Sequence, residues 1–362
     1  MVTIYLGKQA YVYLKSESSW NVASVMGNGS TQKHVPFNQM KTFVPPKPKF
    51  SETVVYTFES FEPSIIFTPL LNPGEGVIEM FYRDPLVLLR LFTRKVANSG
   101  GAWLTGGSDN NIVADFVSTA DEETIAIQYE IEDRDAANEI DRRLDGCEIT
   151  KYDWVINKGE LLMENITIKA AGFADATQDP DIDAGFDGGQ FDRTGVDGGF
   201  GAWDGEVTRA IHASEITLTL GGSALAGLSI ENFTLSIEVP KEYQHTQESR
   251  NATIHFKGTR KWSLSVDGWL KTKAHLEEAE KIFSAKSASS ILKVAYNVGL
   301  DKFIQFTNAY VSSADFETIP IPEAGQAART SFVIRGGEDT ALSFTWTGPE
   351  TTSPLDHFKH DN

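Results

Sequence analysis

The sequence predicts a mainly β protein made of two sheet-plus-helix modules, each a β-sandwich or half-barrel with one short flanking helix. Three observations carry this. Short runs with strict alternation recur, as in Ile125, Ile127, Tyr129 and Ile131. Only two stretches have helical periodicity. And one strand pattern occurs twice: Gly146, Ile149, Tyr152, Trp154, Ile156, then Gly227, Ile230, Phe233, Leu235, Ile237, every pair offset by 81 residues (227 − 146). In each copy alternate apolar side chains share one face. The other face stays polar, with Lys151 and Asp153 in the first copy and Asn232, Thr234 and Ser236 in the second. A repeated half-buried strand predicts duplication and a shared sheet, and so an assembly protein before an enzyme.

Residues 1–50 read as an extended arm. Two β-prone runs, Ile4–Leu6 and Tyr11–Leu14, precede a polar stretch, and Pro45, Pro46 and Pro48 stiffen its end. Residues 51–172 form the first module. Strands are expected at Val54–Phe58 and Ile65–Phe67. Asp84 then caps a helix over 84–95 that starts at Pro85 and buries Leu86, Leu89 and Phe92. Strands resume at Ile112–Val117 and 125–131. A hairpin over Ile149–Ile156 and Leu162–Ala170, turning at Asn157-Lys158-Gly159, closes the module.

Residues 173–205 are dominated by Asp and Gly and read as a long loop with too few apolar residues for a core. The second module covers 206–348. Its strands are expected at 216–220, Leu228–Val239, Thr253–Phe256, Trp262–Val266, Ile291–Tyr296, Phe303–Phe306, Arg329–Ile334 and 342–346, with a loop at 240–252. A helix over 273–285 buries Leu276, Ile282 and Phe283. Residues 349–362 read as a flexible tail. The two helices stand 190 residues apart (276 − 86), not 81. The modules are therefore expected to differ by insertions or by strand order.

Bulk properties narrow the function classes. At 362 residues and 41% hydrophobic content, two domains with real cores are possible. The formal charge of −18 is opposite to that of a protein that grips nucleic acid, although an acidic surface suits one that lets DNA pass. The one cysteine, Cys147, can neither staple the chain nor build a thiolate metal site, and packing is its expected role. The start, MVTIYLGKQAYVYLK, lacks a signal-peptide core, and no run reaches the roughly 18 apolar residues of a membrane span. No membrane partner is expected.

The motifs of hydrolases, zinc proteases, phosphate-binding loops and dithiol sites are absent, and the seven histidines are scattered. No catalytic residue and no cofactor is assigned. One metal pattern stands out. Asp179, Asp181 and Asp183 have the i, i+2, i+4 spacing of a calcium loop, with Asp187 beyond. Ala184 replaces the expected glycine and Gln190 the bidentate glutamate, so a solvated loop is the stronger reading.

At ETIAIQYEIED, LDGCEITKYDWVINKGELLMENITIKAAG, LAGLSIENFTLSIEVPKEYQ and GTRKWSLSVDGWLKTKAHLEEAEKIF, the chain resembles the major tail tube proteins of long-tailed, siphovirus-like phages and related archaeal tailed viruses. The opening YLGKQAYVYLKSESSWN is similar to that family's arm. The resemblance spans most of residues 1–348. It implies a non-enzymatic structural virion protein, assembled in the host cytoplasm into the virion tail. Its subunits join sheets edge to edge into a ring β-barrel, and rings stack into a tube. Two modules per chain imply a trimeric ring with quasi-six-fold symmetry; one module plus a decorating domain implies a hexameric ring. A tape-measure protein and a tail terminator are the implied partners, with DNA as passing cargo.

On this reading Ile149, Tyr152, Trp154, Ile156, Ile230, Phe233, Leu235 and Ile237 pack the sheets. Lys151, Asp153, Asn232, Ser236, Glu238 and Asp267 approach the lumen, where the overall acidity is expected to dominate. The arm and the 173–205 loop reach neighbouring rings. The alternative is a soluble β-rich surface- or carbohydrate-binding protein, for which acidic loops and exposed tryptophans are also apt.

Overall fold

The computed structural model describes residues 9–16, 35–36, 40–47, 49–55, 64–82, 109–115, 125–132, 140–174, 212–220, 223–224, 228–245, 254–258, 261–270, 290–296, 302–314, 329–336 and 341–347. Among them there are strands and one 3-10 turn, Ala213–Glu215, but no α-helix. The first ten strands are β1 (Gln9–Ser16), β2 (Val35–Pro36), β3 (Met40–Val44), β4 (Lys49–Val55), β5 (Ser64–Asn72), β6 (Gly74–Phe81), β7 (Asp109–Asp115), β8 (Ile125–Glu132), β9 (Ile140–Ile156) and β10 (Met163–Ala174). The second ten are β11 (Thr217–Leu220), β12 (Ser223–Ala224), β13 (Leu228–Glu238), β14 (Lys241–Gln244), β15 (Ile254–Lys257), β16 (Lys261–Leu270), β17 (Ser290–Tyr296), β18 (Lys302–Ala314), β19 (Arg329–Gly336) and β20 (Ala341–Thr347).

Sixteen strands share one antiparallel sheet, and β4–β5 and β14–β15 form separate hairpins. The strands repeat as a set. In the first half β1 pairs with β2 and β8, β8 with β9, β9 with β10, β10 with β6, and β6 with β3. In the second, β11 pairs with β12 and β17, β17 with β18, β18 with β19, β19 with β16, and β16 with β13. Each half inserts its hairpin, β4–β5 or β14–β15, at the same point of the chain. Nine strands thus correspond in order and in partners: β1–β6 and β8–β10 to β11–β19.

Irregularities repeat too. The register slips between Ile125 and Ile127 on β8 and between Ser290 and Leu292 on β17; the facing pairs are Cys147 with Leu144 and Ala309 with Phe306. Those residues stand at one offset, 162 (309 − 147). The slip at Thr150 on β9, against Thr167 and Ile168, recurs at Ser312 on β18, against Val333 and Ile334, again 162 apart. The slip at Lys41 on β3 recurs at Glu231 on β13, offset 190 (231 − 41). Bulges are built-in bends that re-aim a strand, so three matched bulges mark one backbone design used twice.

This corrects the basis of the two-module expectation. The 81-residue pattern joins β9 to β13, which are not equivalent: β9 corresponds to β18, and β13 to β3. The pattern repeats because both are half-buried strands with one apolar face. The 190-residue helix spacing is the one that matches the strands, since β3 and β13 share it. The helices themselves, with Leu86, Leu89, Phe92, Leu276, Ile282 and Phe283, lie outside the described residues.

The expected boundaries also shift. Within residues 1–50, β1 runs along β8 through eight residue pairs and β3 pairs with β6, so these strands belong to the sheet of their own chain rather than to a free arm. Tyr11, Tyr13 and the neighbouring valine and leucine give β1 the β-prone character that seats it there. Strand β7, placed by sequence in the first module, pairs with β20 at the far end of the second. Residues 349–362 and nearly all of 173–205 lie outside the described residues, although β10 runs on to Ala174.

The core lies against one face of the central row β3-β6-β10-β9-β13-β16-β19-β18. Ile78, Tyr82, Tyr152, Trp154, Ile166, Leu235, Leu264, Val266 and Ile334 are all fully buried there. Phe306, at the start of β18, stacks on Trp262 of β16 with centroids 4.2 Å apart, although β19 separates these strands. The sheet therefore folds over on itself. In the first half Phe43 of β3 meets Tyr129 of β8 edge-on at 5.2 Å. Strand β6 was not expected from sequence. Its alternation, Ile78, Met80, Tyr82, is short and opens on two glycines.

Candidate assembly surface

The two halves meet where β9 pairs with β13: Ile156 opposite Phe233, Trp154 opposite Leu235, and Tyr152 opposite Ile237. All six are buried, as is Ile149. The expected packing residues are thus brought together as facing pairs across one seam. Ile230 lies in β13 opposite Gly268 of β16, beyond the seam. Alternation makes this possible: once one apolar residue faces the core, every second one follows.

Polar groups within the core are partnered. Tyr152 donates its hydroxyl hydrogen to the buried Glu164, and Trp154 donates its indole N–H to the Tyr152 oxygen. Tyr82 meets Trp154 edge-on, centroids 4.5 Å apart. Sequence analysis missed Glu164; its place in the apolar alternation Leu162, Ile166, Ile168 was the available signal.

A second cluster closes one end of the seam. The Lys241 ammonium lies 3.0 Å from Glu148 Oε1, with side-chain exposures of 3% and 0%. The Tyr243 hydroxyl donates to Glu148 Oε2 at 2.8 Å, and Val239 N–H donates to the Thr150 carbonyl at 2.8 Å. A buried carboxylate is tolerated only when paired and hydrogen-bonded, and both come here from the other half of the chain. Neither residue was singled out in the sequence, because 93 residues separate them. At the opposite end Lys158 pairs with Glu231 at 2.8 Å, and its N–H donates to Asn232 Oδ1 at 3.3 Å. Lys158 sits in the expected turn, where Gly159 takes φ +77°.

The expected lumen residues share the other face of the row. Asp153 faces Ser236, whose hydroxyl donates to its Oδ1 at 2.5 Å; Glu238 faces Lys151; Asn232 faces Asp267. Acidity does not dominate this face among the described residues. Glu75, Glu79, Asp153, Glu238 and Asp267 stand among Lys151, Lys169, Lys261 and Arg335. Lys151 pairs with Asp153 at 2.9 Å, and Lys169 with Glu75 at 3.2 Å. Much of the net charge sits elsewhere: residues 173–205 hold eight aspartates and one arginine.

Cys147 is fully buried, and its thiol approaches the Leu144 carbonyl at 3.5 Å. The aspartates at 179, 181, 183 and 187 lie outside the described residues, among which no group of three metal-ligating side chains occurs. Among the described residues no helix is long and apolar enough to cross a membrane. Compared with protein-family models and with the curated proteins, the chain matches none.

Proposed function

We propose that the chain is the structural subunit of a viral tail tube, three copies closing into a ring with quasi-six-fold symmetry and rings stacking into a conduit for DNA. One observation carries this reading. The central row runs β3-β6-β10-β9 and then β13-β16-β19-β18, the same four strands twice. Every neighbour is antiparallel, so a step of four strands restores the strand direction. A rotation about an axis along a barrel requires that relation. Two such units per chain and three chains supply six, and closure removes the open edges of a long sheet.

The polar face opposite the core supports a lumen role. Its charges are of both signs and several are paired, so it offers DNA no continuous basic track. Negative-stain microscopy of the purified protein, with mass measurement of the particles, tests the proposal. Rings of three chains that stack into tubes are expected. Single particles at every concentration would sink it and favour a soluble surface-binding protein.

A further inference from the structure

The repeated design leaves the row with one edge of each kind. At its start, β3 pairs with β6, and its second edge is unpaired among the described residues. At its end, residues 311–314 of β18 pair with β19 only, whereas β17 and β20 pair with the earlier part of that strand. The equivalent strands are joined inside the chain: β13, which corresponds to β3, pairs with the last part of β9, which corresponds to β18. The internal seam is therefore a worked example of the contact that the two open edges can make.

We infer that the β3 edge of one copy docks beside the end of β18 of a second copy, head to tail, reproducing the β9–β13 seam between chains. The occupant is a second copy because the chain already contains both halves of this contact in joined form. Such a contact uses two different surfaces, so it builds a ring if the rotation closes. Val44 supplies an independent mark. It is 46% exposed, one of two large hydrophobic side chains so exposed among the described residues. Its counterpart is Thr234, which sits half-buried in the seam beside Val155.

The outer seam is shorter than the inner one. Strand β13 continues along β16 to the pair Glu238–Lys261, whereas β3 stops at Val44. The chain then crosses β6 so closely that a Cβ on Gly76 would lie 2.4 Å from Pro46 and one on Gly74 would lie 2.2 Å from the Lys47 backbone. The second half has Leu264 and Trp262 at those positions, where no crossing occurs. The seam between copies is thus the weaker kind and the one that opens first on dilution.

This deepens the tube reading and is tested separately from it. Hydrogen exchange is followed by mass spectrometry on the whole protein as free chain and as assembly. Amides of 42–44 and 311–314 should exchange at least tenfold more slowly in the assembly, while those of 151–156 and 233–238 are protected in both. Val44→Asp should leave a folded single chain, with 151–156 still protected, that does not assemble. Val44→Thr, which copies the inner seam, should assemble. Rings in which 42–44 and 311–314 remain fast overturn the inference and leave the tube reading standing. Closed, protected rings that never stack leave the inference standing and overturn the tube.

Discussion

Thr150 and Ser312 do the same thing in the two halves of the chain. Each is the extra residue of a bulge, and each hydroxyl donates to the carbonyl across the ladder: Thr150 Oγ1 to Thr167 at 3.3 Å, Ser312 Oγ to Val333 at 3.2 Å. The hydroxyl gives that carbonyl a partner where the bulge disrupts the ladder. Thr150→Val and Ser312→Ala should each cost about 0.5–1.5 kcal/mol. The two sites share no partner, so the double variant should lose about the sum. Urea unfolding of the three variants checks this; a double variant far from additive would show that the bulges are coupled.

The Glu148–Lys241 pair should behave as a buried pair whose breakage is worse than its absence. Glu148→Gln or Lys241→Met alone should cost about 3–5 kcal/mol, and Glu148→Leu with Lys241→Met together should cost much less. The same denaturation series reads it. Equal losses in the single and double variants would mean that the hairpin β14–β15 depends on the charge itself.

Trp154 sits at the centre of the seam, opposite Leu235 on one side and Glu164 on the other. Trp154→Ala should cost about 3–5 kcal/mol. Trp154→Asp or Phe233→Asp should abolish soluble assembly, since either places a charge in the core. Normal rings from these variants would show that the seam faces have been assigned the wrong way round.

Gly76→Ala tests the close crossing. The added methyl meets the Pro46 ring and the Val44 carbonyl oxygen at 2.4 Å, and backbone has little room to yield. A loss of about 1–3 kcal/mol is expected. Faster exchange of 42–44 should accompany it, with 233–238 unchanged. A neutral substitution would mean that the crossing relaxes freely.

Assembled tubes should hold DNA weakly. The described polar face has nearly equal numbers of acidic and basic groups, and the chain as a whole is acidic. Tight binding at moderate salt that falls steeply as salt rises would place a basic track in the channel and contradict the lumen assignment.

Alternation alone determined the β class, most strand positions and which face of β9, β13 and β16 is buried, because a two-residue period fixes every side chain once one is placed. It could not say which strands are equivalent. Half-buried strands resemble one another whatever their place in a sheet, so the 81-residue match joined neighbours instead of counterparts. True counterparts share few residues: Cys147 stands where Ala309 does, and Leu144 where Phe306 does. What they share is backbone, in pairings, bulges and hairpin placement, and hydrogen bonds between residues far apart in the chain create those. The Glu148–Lys241 contact, the strand β6 over its two glycines and the exchange of β7 onto β20 were likewise settled by tertiary structure. Each depends on what lies across a ladder or beneath a crossing, which no local pattern encodes.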